Sequence, residues 1–244
     1  MSNMYLMSII LPCYNESKSL YELYKKASYI TSNYDIEIIF LDNGSIDNSW
    51  EIMNGFEKTK DIKFLKLDNN KGYGFGLKYA LKYCDGEYIG WTHADLQTDL
   101  FDVIKAYKLI NILKNKGYKN NLAVKGIRLG RDFQEKFTSF VFDIIANLIF
   151  LSSNIREINA QPSIYQKSLI KNLLNSPDNY NFDLFAYLSA RSRRFEFHRI
   201  SVLFPKRIFG ESHWNKGIIA KIKFVITSLN GLISYRFKIK IDKF

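Results

Sequence analysis

The feature that most constrains this chain is an alternation in its first hundred residues. Short apolar, β-branched runs at residues 7–11, 36–41, 62–67 and 88–91 each end in polar or glycine-bearing residues, with helix-length patterns between them. The helices are expected at 20–30, at 47–58 with Asp47 as N-cap, and at 74–84. Strands that alternate with helices imply a parallel sheet, and in such sheets ligands bind outside the carboxyl ends of the strands. The polar residues just after each strand are therefore where chemistry is expected.

Beyond about residue 100 the alternation fades into a helix at 100–113, a short strand at 122–126 and a long apolar helix at 137–151. No internal repeat or low-complexity linker divides the chain. A length of 244 residues suits one large domain, or one with a small appendage. The expected division is an α/β domain over 1–215 and a C-terminal extension over 216–244.

Charge narrows the partners. Lys and Arg number 35 against 24 Asp and Glu, and the net charge of +11 favours phosphate-bearing partners such as nucleotides, nucleic acid or anionic lipid. A solvated lysine-rich surface would show the same excess, and nothing besides charge points to nucleic acid. Cys13 and Cys84 are too few for a disulfide framework or a zinc site, so a reducing cytosol is expected. The N-terminus runs straight into a strand pattern without a secretory leader. No apolar run reaches the roughly 18 uncharged residues of a membrane-spanning helix.

Four strand ends carry the candidate chemistry. In Leu11-Pro12-Cys13-Tyr14-Asn15-Glu16, Pro12 fixes the turn, Tyr14 offers a ring for stacking and Glu16 an acceptor; Asn-Glu-Ser is equally a helix-capping sequence. In Asp42-Asn43-Gly44-Ser45 a carboxylate stands beside a glycine turn, able to accept from a nucleobase or simply to shape the turn. The stretch from Asp68 to Gly76 has the alternating glycines of a phosphate loop, or of a helix packed closely on a sheet, without a dinucleotide fingerprint. In Trp91-Thr92-His93-Ala94-Asp95-Leu96-Gln97, alternation is expected to put His93, Asp95 and Gln97 on one side of an extended segment. Such a set can hold a divalent cation through oxygen ligands.

In this order the four segments resemble family 2 glycosyltransferases of the GT-A nucleotide-diphospho-sugar fold, especially the dolichyl- and polyprenyl-phosphate sugar synthases. Their pattern runs from Pro-x-Tyr-Asn-Glu through Asp-Asp-Gly-Ser and an Asn-x-Gly-x-Gly-like stretch to Asp-Ala-Asp-Leu-Gln. Lys125-Gly126-Ile127-Arg128 resembles their Gly-x-Arg strand end, and Arg207-Ile208-Phe209-Gly210-Glu211-Ser212 their Arg-x-x-Gly-x-Ser loop. The resemblance implies a mostly parallel central sheet flanked by helices. It also implies a nucleoside-diphosphate sugar donor held by Pro12, Tyr14, Glu16 and Asp42, with His93 and Ala94 in the same site. Asp95 and Gln97 would hold Mg2+ or Mn2+, and Arg128 and Arg207 would face phosphates, a role suited to the guanidinium fork. Three positions depart from the pattern: Asn43 replaces an Asp, His93 the first Asp of Asp-x-Asp, and His213 a Lys.

The implied reaction is inverting transfer to a polyprenyl-phosphate or lipid-linked acceptor in glycan assembly. A phosphate acceptor is already ionised, whereas a sugar hydroxyl needs a base, for which Asp183 is the first candidate and His213 the second. Asp183 could equally be a helix cap. Residues 140–151 are apolar except for Asp143 and Asn147, which suits a buried helix or one dipping into lipid. Residues 217–240 place Ile218, Ile222, Val225, Leu229 and Ile233 at helical spacing among basic residues, as in a helix lying on an anionic membrane or packing against the domain or a membrane subunit. The expected location is cytoplasmic, peripheral on the inner membrane face. Nucleotidyltransferases would open with a Gly-rich basic loop that residues 11–16 lack; a degenerate sugar-nucleotide-binding scaffold, suggested by Asn43 and His93, is the non-enzymatic alternative.

Overall fold

The computed structural model describes residues 5–118, 120–131, 133–151, 155–205 and 217–238. The first half repeats a strand and helix: β1 (Tyr5–Cys13), α1 (Leu20–Asn33), β2 (Ile36–Asn43), α2 (Ser49–Asn54), β3 (Ile62–Leu67), α3 (Tyr73–Ala80), β4 (Gly86–Trp91) and α4 (Asp102–Asn115). Then follow β5 (Leu122–Leu129), α5 (Phe133–Phe150), β6 (Ser163–Gln166), α6 (Ile170–Leu173), α7 (Phe182–Ser192), β7 (Glu196–Leu203) and α8 (Gly217–Lys238).

Seven strands form one sheet in the order β3-β2-β1-β4-β6-β5-β7. The first four lie parallel, β6 runs antiparallel between β4 and β5, and β7 is parallel to β5. Every residue of β2 is buried, as expected of a strand covered on both faces. On one face, Leu20, Leu23, Ala27 and Ile30 of α1 pack with Val103, Ala106 and Ile110 of α4. On the other, Leu77 and Ala80 of α3 pack with Phe182, Ala186 and Ala190 of α7 over Ile10, Ile39 and Trp91.

The register brings Cys13, Asp42 and Lys66 level at the carboxyl ends of β1, β2 and β3. The turns after these strands therefore share one rim of the sheet.

One local reading differs from the sequence expectation. Helix α2 starts at Ser49 behind Asn48 and stops at Gly55, so Asp47 is not its N-cap. Asp47 instead accepts the Ser49 N–H through Oδ1 (3.0 Å) and the Ser17 N–H through Oδ2 (3.4 Å), tying the turn after β1 to the turn after β2.

In α8 the described buried residues are Ser228, Gly231, Leu232 and Tyr235, with Leu229 packed against the same cluster and Ile233 50% exposed; the side chains of Ile218, Ile222 and Val225 lie outside the described residues. The packing is close: a side chain on Gly231 would stand 2.7 Å from Asn181 Nδ2, and that amide donates to Thr227 O (3.0 Å). Arg236 Nε reaches Ile149 O (3.0 Å), so α8 lies against both α7 and α5.

Candidate functional site

The rim after β1 and β2 is built from turns that hold one another. Asn15, at a left-handed φ of 58°, donates its N–H to Ser45 Oγ (3.0 Å) and accepts from Ile46 N through Oδ1 (2.9 Å). Glu16 N donates to Ser49 Oγ (3.0 Å). Asp42 is fully buried; Oδ1 accepts the Ser45 N–H (3.1 Å), while Oδ2 has no hydrogen-bond partner. A buried carboxylate oxygen without a donor is costly, so this atom is suited to accept from a ligand N–H or O–H. Beside it, a cleft of about 420 Å³ is lined by Pro12, Cys13, Tyr14, Asn43, Asn70 and Tyr73.

Asn43, one of the sequence departures, has a local reason. Its Nδ2 donates to Gly72 O (3.3 Å), a bond an Asp carboxylate cannot make. Gly44 has φ +75°, and a Cβ there would fall 2.3 Å from the backbone N of Asn70. Gly44→Ala is expected to lower stability by at least about 2 kcal/mol, a fall of about 4–8 °C in Tm by calorimetry. An unchanged Tm would show that the turn after β2 is not held this way.

The segment after β4 is not extended. Leu96 has a left-handed φ of 58°, and the Asp95 Oδ1 turns back to accept the Gln97 N–H (3.0 Å). The expected alternation of His93, Asp95 and Gln97 is therefore broken at Leu96. The three still occupy one short loop: Gln97 Nε2 donates to Pro205 O (3.3 Å), the His93 ring lies 6.0 Å from that of Phe204, and Ala94 O accepts from Ser19 Oγ (2.7 Å). Among the described residues, no three His, Cys, Asp or Glu side chains converge as a metal cluster. A carboxylate and an amide oxygen in one loop do suit a hard cation that takes its remaining ligands from substrate phosphates and water.

Asp183 stands in the first turn of α7, where the helix N-terminus favours a carboxylate. Oδ1 accepts from Trp91 Nε1 (2.7 Å), and the Tyr73 hydroxyl also donates to this carboxylate while accepting from Gln161 Nε2 (2.9 Å). Burial pushes its pKa up; Lys125 opposes this most, followed by the Trp91 hydrogen bond, His93 and Tyr73. Because Tyr73 also lines the cleft, the network joins Asp183 to that cleft.

Arg128 is engaged differently from the phosphate-facing expectation. Its Nε pairs with Glu157 Oε2 (2.8 Å), Arg131 pairs with the other Glu157 oxygen, and its guanidinium lies over Phe204 (5.4 Å). Asp143, pushed up to about 6 by burial, accepts the Glu157 N–H (3.1 Å) and so anchors this ion pair to α5. Arg207 and His213 lie outside the described residues.

Sequence reasoning missed Tyr73, Trp91, Lys125, Glu157 and Gln161. Of these only Lys125, a charge inside an apolar strand run, carries a local signal.

Residues 8–146, more than half of the chain, match the family model described as glycosyl transferase family 2. A poly-beta-1,6-N-acetyl-D-glucosamine synthase from Staphylococcus epidermidis is 28% identical over 68% of this chain and 41% of its own length. An undecaprenyl-phosphate 4-deoxy-4-formamido-L-arabinose transferase from Pseudomonas syringae is 30% identical over 42% of this chain and 32% of its own length. A UDP-Glc:alpha-D-GlcNAc-diphosphoundecaprenol beta-1,3-glucosyltransferase from Escherichia coli is 36% identical over 38% and 36%. The chain thus spans less than half the length of these relatives.

Among solved structures, glucosyl-3-phosphoglycerate synthase from Mycobacterium tuberculosis with Mn2+, UDP-glucose and phosphoglyceric acid superposes with a TM-score of 0.68. The identity is 14%, with 98% of this chain and 81% of that one covered. A mannosyltransferase from Pyrobaculum calidifontis with GDP-Man and Mn2+ gives 0.62 at 15% identity, covering 96% and 64%. The architecture is the GT-A fold, and with the match over residues 8–146 the chain belongs to glycosyl transferase family 2.

Proposed function

We propose that this chain transfers a sugar, with inversion, from a nucleoside-diphosphate sugar to a hydroxyl of a lipid-linked or growing glycan acceptor. The observation that carries the reading is Asp183, a buried carboxylate hydrogen-bonded by Trp91 and by Tyr73, which lines the cleft. In the reaction the acceptor oxygen attacks the anomeric carbon and its proton passes to Asp183. The bond from that carbon to the diphosphate oxygen breaks, and its electron pair leaves with the nucleoside diphosphate.

Asp42 Oδ2 would accept from the donor's base or ribose, while Pro12 and Tyr14 would line its seat. Asp95 and Gln97 would hold Mg2+ or Mn2+, which supplies positive charge to the leaving diphosphate when bound. Both structural neighbours described above carry Mn2+.

The test is a panel of nucleoside-diphosphate sugars with Mn2+, read first as thermal stabilisation and then as transfer to lipid-linked saccharides. A binding donor at hundredfold excess over Kd adds about 2.7 kcal/mol of apparent stability. Stabilisation without transfer or donor hydrolysis would favour the scaffold reading; no stabilisation by any nucleotide would end the proposal. Polyprenyl phosphate as acceptor is supported by the 30% identity to the undecaprenyl-phosphate transferase. That reaction needs no base at Asp183.

Peripheral contact with an anionic membrane belongs to the same reading. No helix among the described residues is long and apolar enough to cross a membrane. Yet α5 and α8, packed side by side, leave Phe140 (62% exposed), Leu148 (70%), Leu151 (81%) and Phe237 (86%) in solvent. Residues 216–240 carry six basic side chains and no acidic one, which favours anionic lipid as the occupant. The proposed location is accordingly cytoplasmic, on the inner membrane face. The double variant Phe140→Asp, Leu148→Asp is expected to weaken cosedimentation with phosphatidylglycerol vesicles by about tenfold or more, with Tm unchanged. Unaltered cosedimentation would remove these residues from the membrane face.

A further inference from the structure

Lys125 is a completely buried cation near the middle of β5, and no role assigned above uses it. An ammonium in a protein interior is strongly disfavoured unless other groups compensate its lost hydration. Strand register explains where it points. Lys125 pairs with Ser163 of β6, Ser163 pairs with Trp91 of β4, and on its other side Lys125 pairs with Arg199 of β7. Directly paired residues of neighbouring strands share a face. Arg199, Lys125, Ser163 and Trp91 therefore form a row across four strands, on the face that α7 covers.

Lys125 Nζ donates to Ser163 Oγ and lies 6.0 Å from the Tyr165 ring centre. At the far end of the row, Trp91 Nε1 holds Asp183 at 2.7 Å.

We propose that Lys125 is a positioning residue for glycosyl transfer, whose ammonium, seated on Ser163, keeps the Asp183 carboxylate ionised and ready to take the acceptor's proton. This inference rests on the reading of Asp183 as the base.

The electrostatics run in both directions. Burial drives Asp183 toward its neutral acid, and Lys125 is the largest influence opposing that. Burial likewise lowers Lys125 to about 7, with the Asp183 charge the largest influence holding its proton on. Each group is suppressed alone and sustained by the other. The remaining groups facing Lys125 are Arg199 and Arg128, which disfavour its charge, and Glu157, which favours it. Those facing Asp183 are His93 and the Trp91 and Tyr73 donors, all favouring the carboxylate, with the neutral Tyr165 hydroxyl nearby. Removing Lys125 should thus raise the pH needed to ionise Asp183.

The experiment measures kcat against pH for the full chain at saturating donor, Mn2+ and acceptor, comparing wild type with Lys125→Met and Ser163→Ala. The acid limb of Lys125→Met is expected to move up by at least about one pH unit, with donor KM within about twofold of wild type. Ser163→Ala should move it the same way by less. A lysine of purely structural use would lower Tm and leave the limb in place, and a limb unmoved in both variants overturns the proposal. If Lys125→Met does not fold, Ser163→Ala decides by the same criterion. Full activity in Asp183→Asn would instead remove the base and this inference with it; lost activity there with an unmoved Lys125→Met limb removes Lys125 alone.

Discussion

Asp183→Asn is expected to lower kcat by about 10²–10⁴, the usual contribution of a positioned general base, with donor affinity little changed. The substitution keeps the shape and leaves an Oδ1 that can still accept from Trp91 Nε1, so the first turn of α7 should hold. What disappears is the charge. Lys125 is then left buried without its counter-charge, so some loss of Tm accompanies the loss of rate.

The pH dependence has a defined sign. A base works ionised, so kcat falls as pH drops through the Asp183 pKa. Burial places that pKa above the ordinary aspartate value of about 3.9, so the acid limb should lie above it too. Initial rates at saturating substrates, taken well below Tm, check both points. Wild-type kcat in Asp183→Asn would sink the hydroxyl-acceptor reading and favour a phosphate acceptor, which arrives ionised.

The proposed donor half of this site was readable in the sequence because it is local. Asp42, Asn43 and Gly44 adjoin one another, and their turn follows a strand whose apolar run, interrupted by Glu37, identifies it. Largely apolar runs made β1, β2 and β4 visible in the same way, since strands buried on both faces are mostly apolar. By contrast β6 has four residues, Ser-Ile-Tyr-Gln, and is a strand because β4 and β5 flank it. In β7 only Ile200 and Val202 are fully buried among charged neighbours, an alternation the eye passes over.

The proposed acceptor half depends on pairings distant in sequence. Trp91 and Asp183 are 92 residues apart, and neither Tyr73 nor Lys125 announces that it will face the same carboxylate. The partner of Arg128 was hidden for the same reason, because Glu157 meets it only through the turn that Asp143 anchors. The loop after β4 misled through a single residue: Leu96 in the left-handed region cannot be inferred from a side chain that normally avoids it.

Asp95 tests the metal assignment, and two substitutions separate its structural and electrostatic parts. Asp95→Ala removes both the charge and the acceptor for the Gln97 N–H, so it should loosen the turn at Leu96 as well as any cation site. Asp95→Asn keeps an Oδ1 for that bond and removes only the charge. The Asn variant is therefore expected to melt closer to wild type than Asp95→Ala does, because the bond to the Gln97 N–H is kept. Added Mn2+ should nevertheless no longer increase its stabilisation by a nucleoside diphosphate, and transfer should fall by about a hundredfold or more.

The effect should be large because His93 stands where the family has another carboxylate, leaving Asp95 the only acidic residue from Trp91 to Gln97. Hard divalent cations bind charged oxygen far better than a neutral amide, and no neighbouring carboxylate within that segment can substitute. Thermal shifts with and without Mn2+, measured beside turnover, give the answer. If Asp95→Asn keeps metal-dependent nucleotide binding and turnover, the cation lies elsewhere. If wild type itself binds the nucleotide equally with and without Mn2+, the charge of the leaving diphosphate must be met by arginines and lysines of this strongly basic chain.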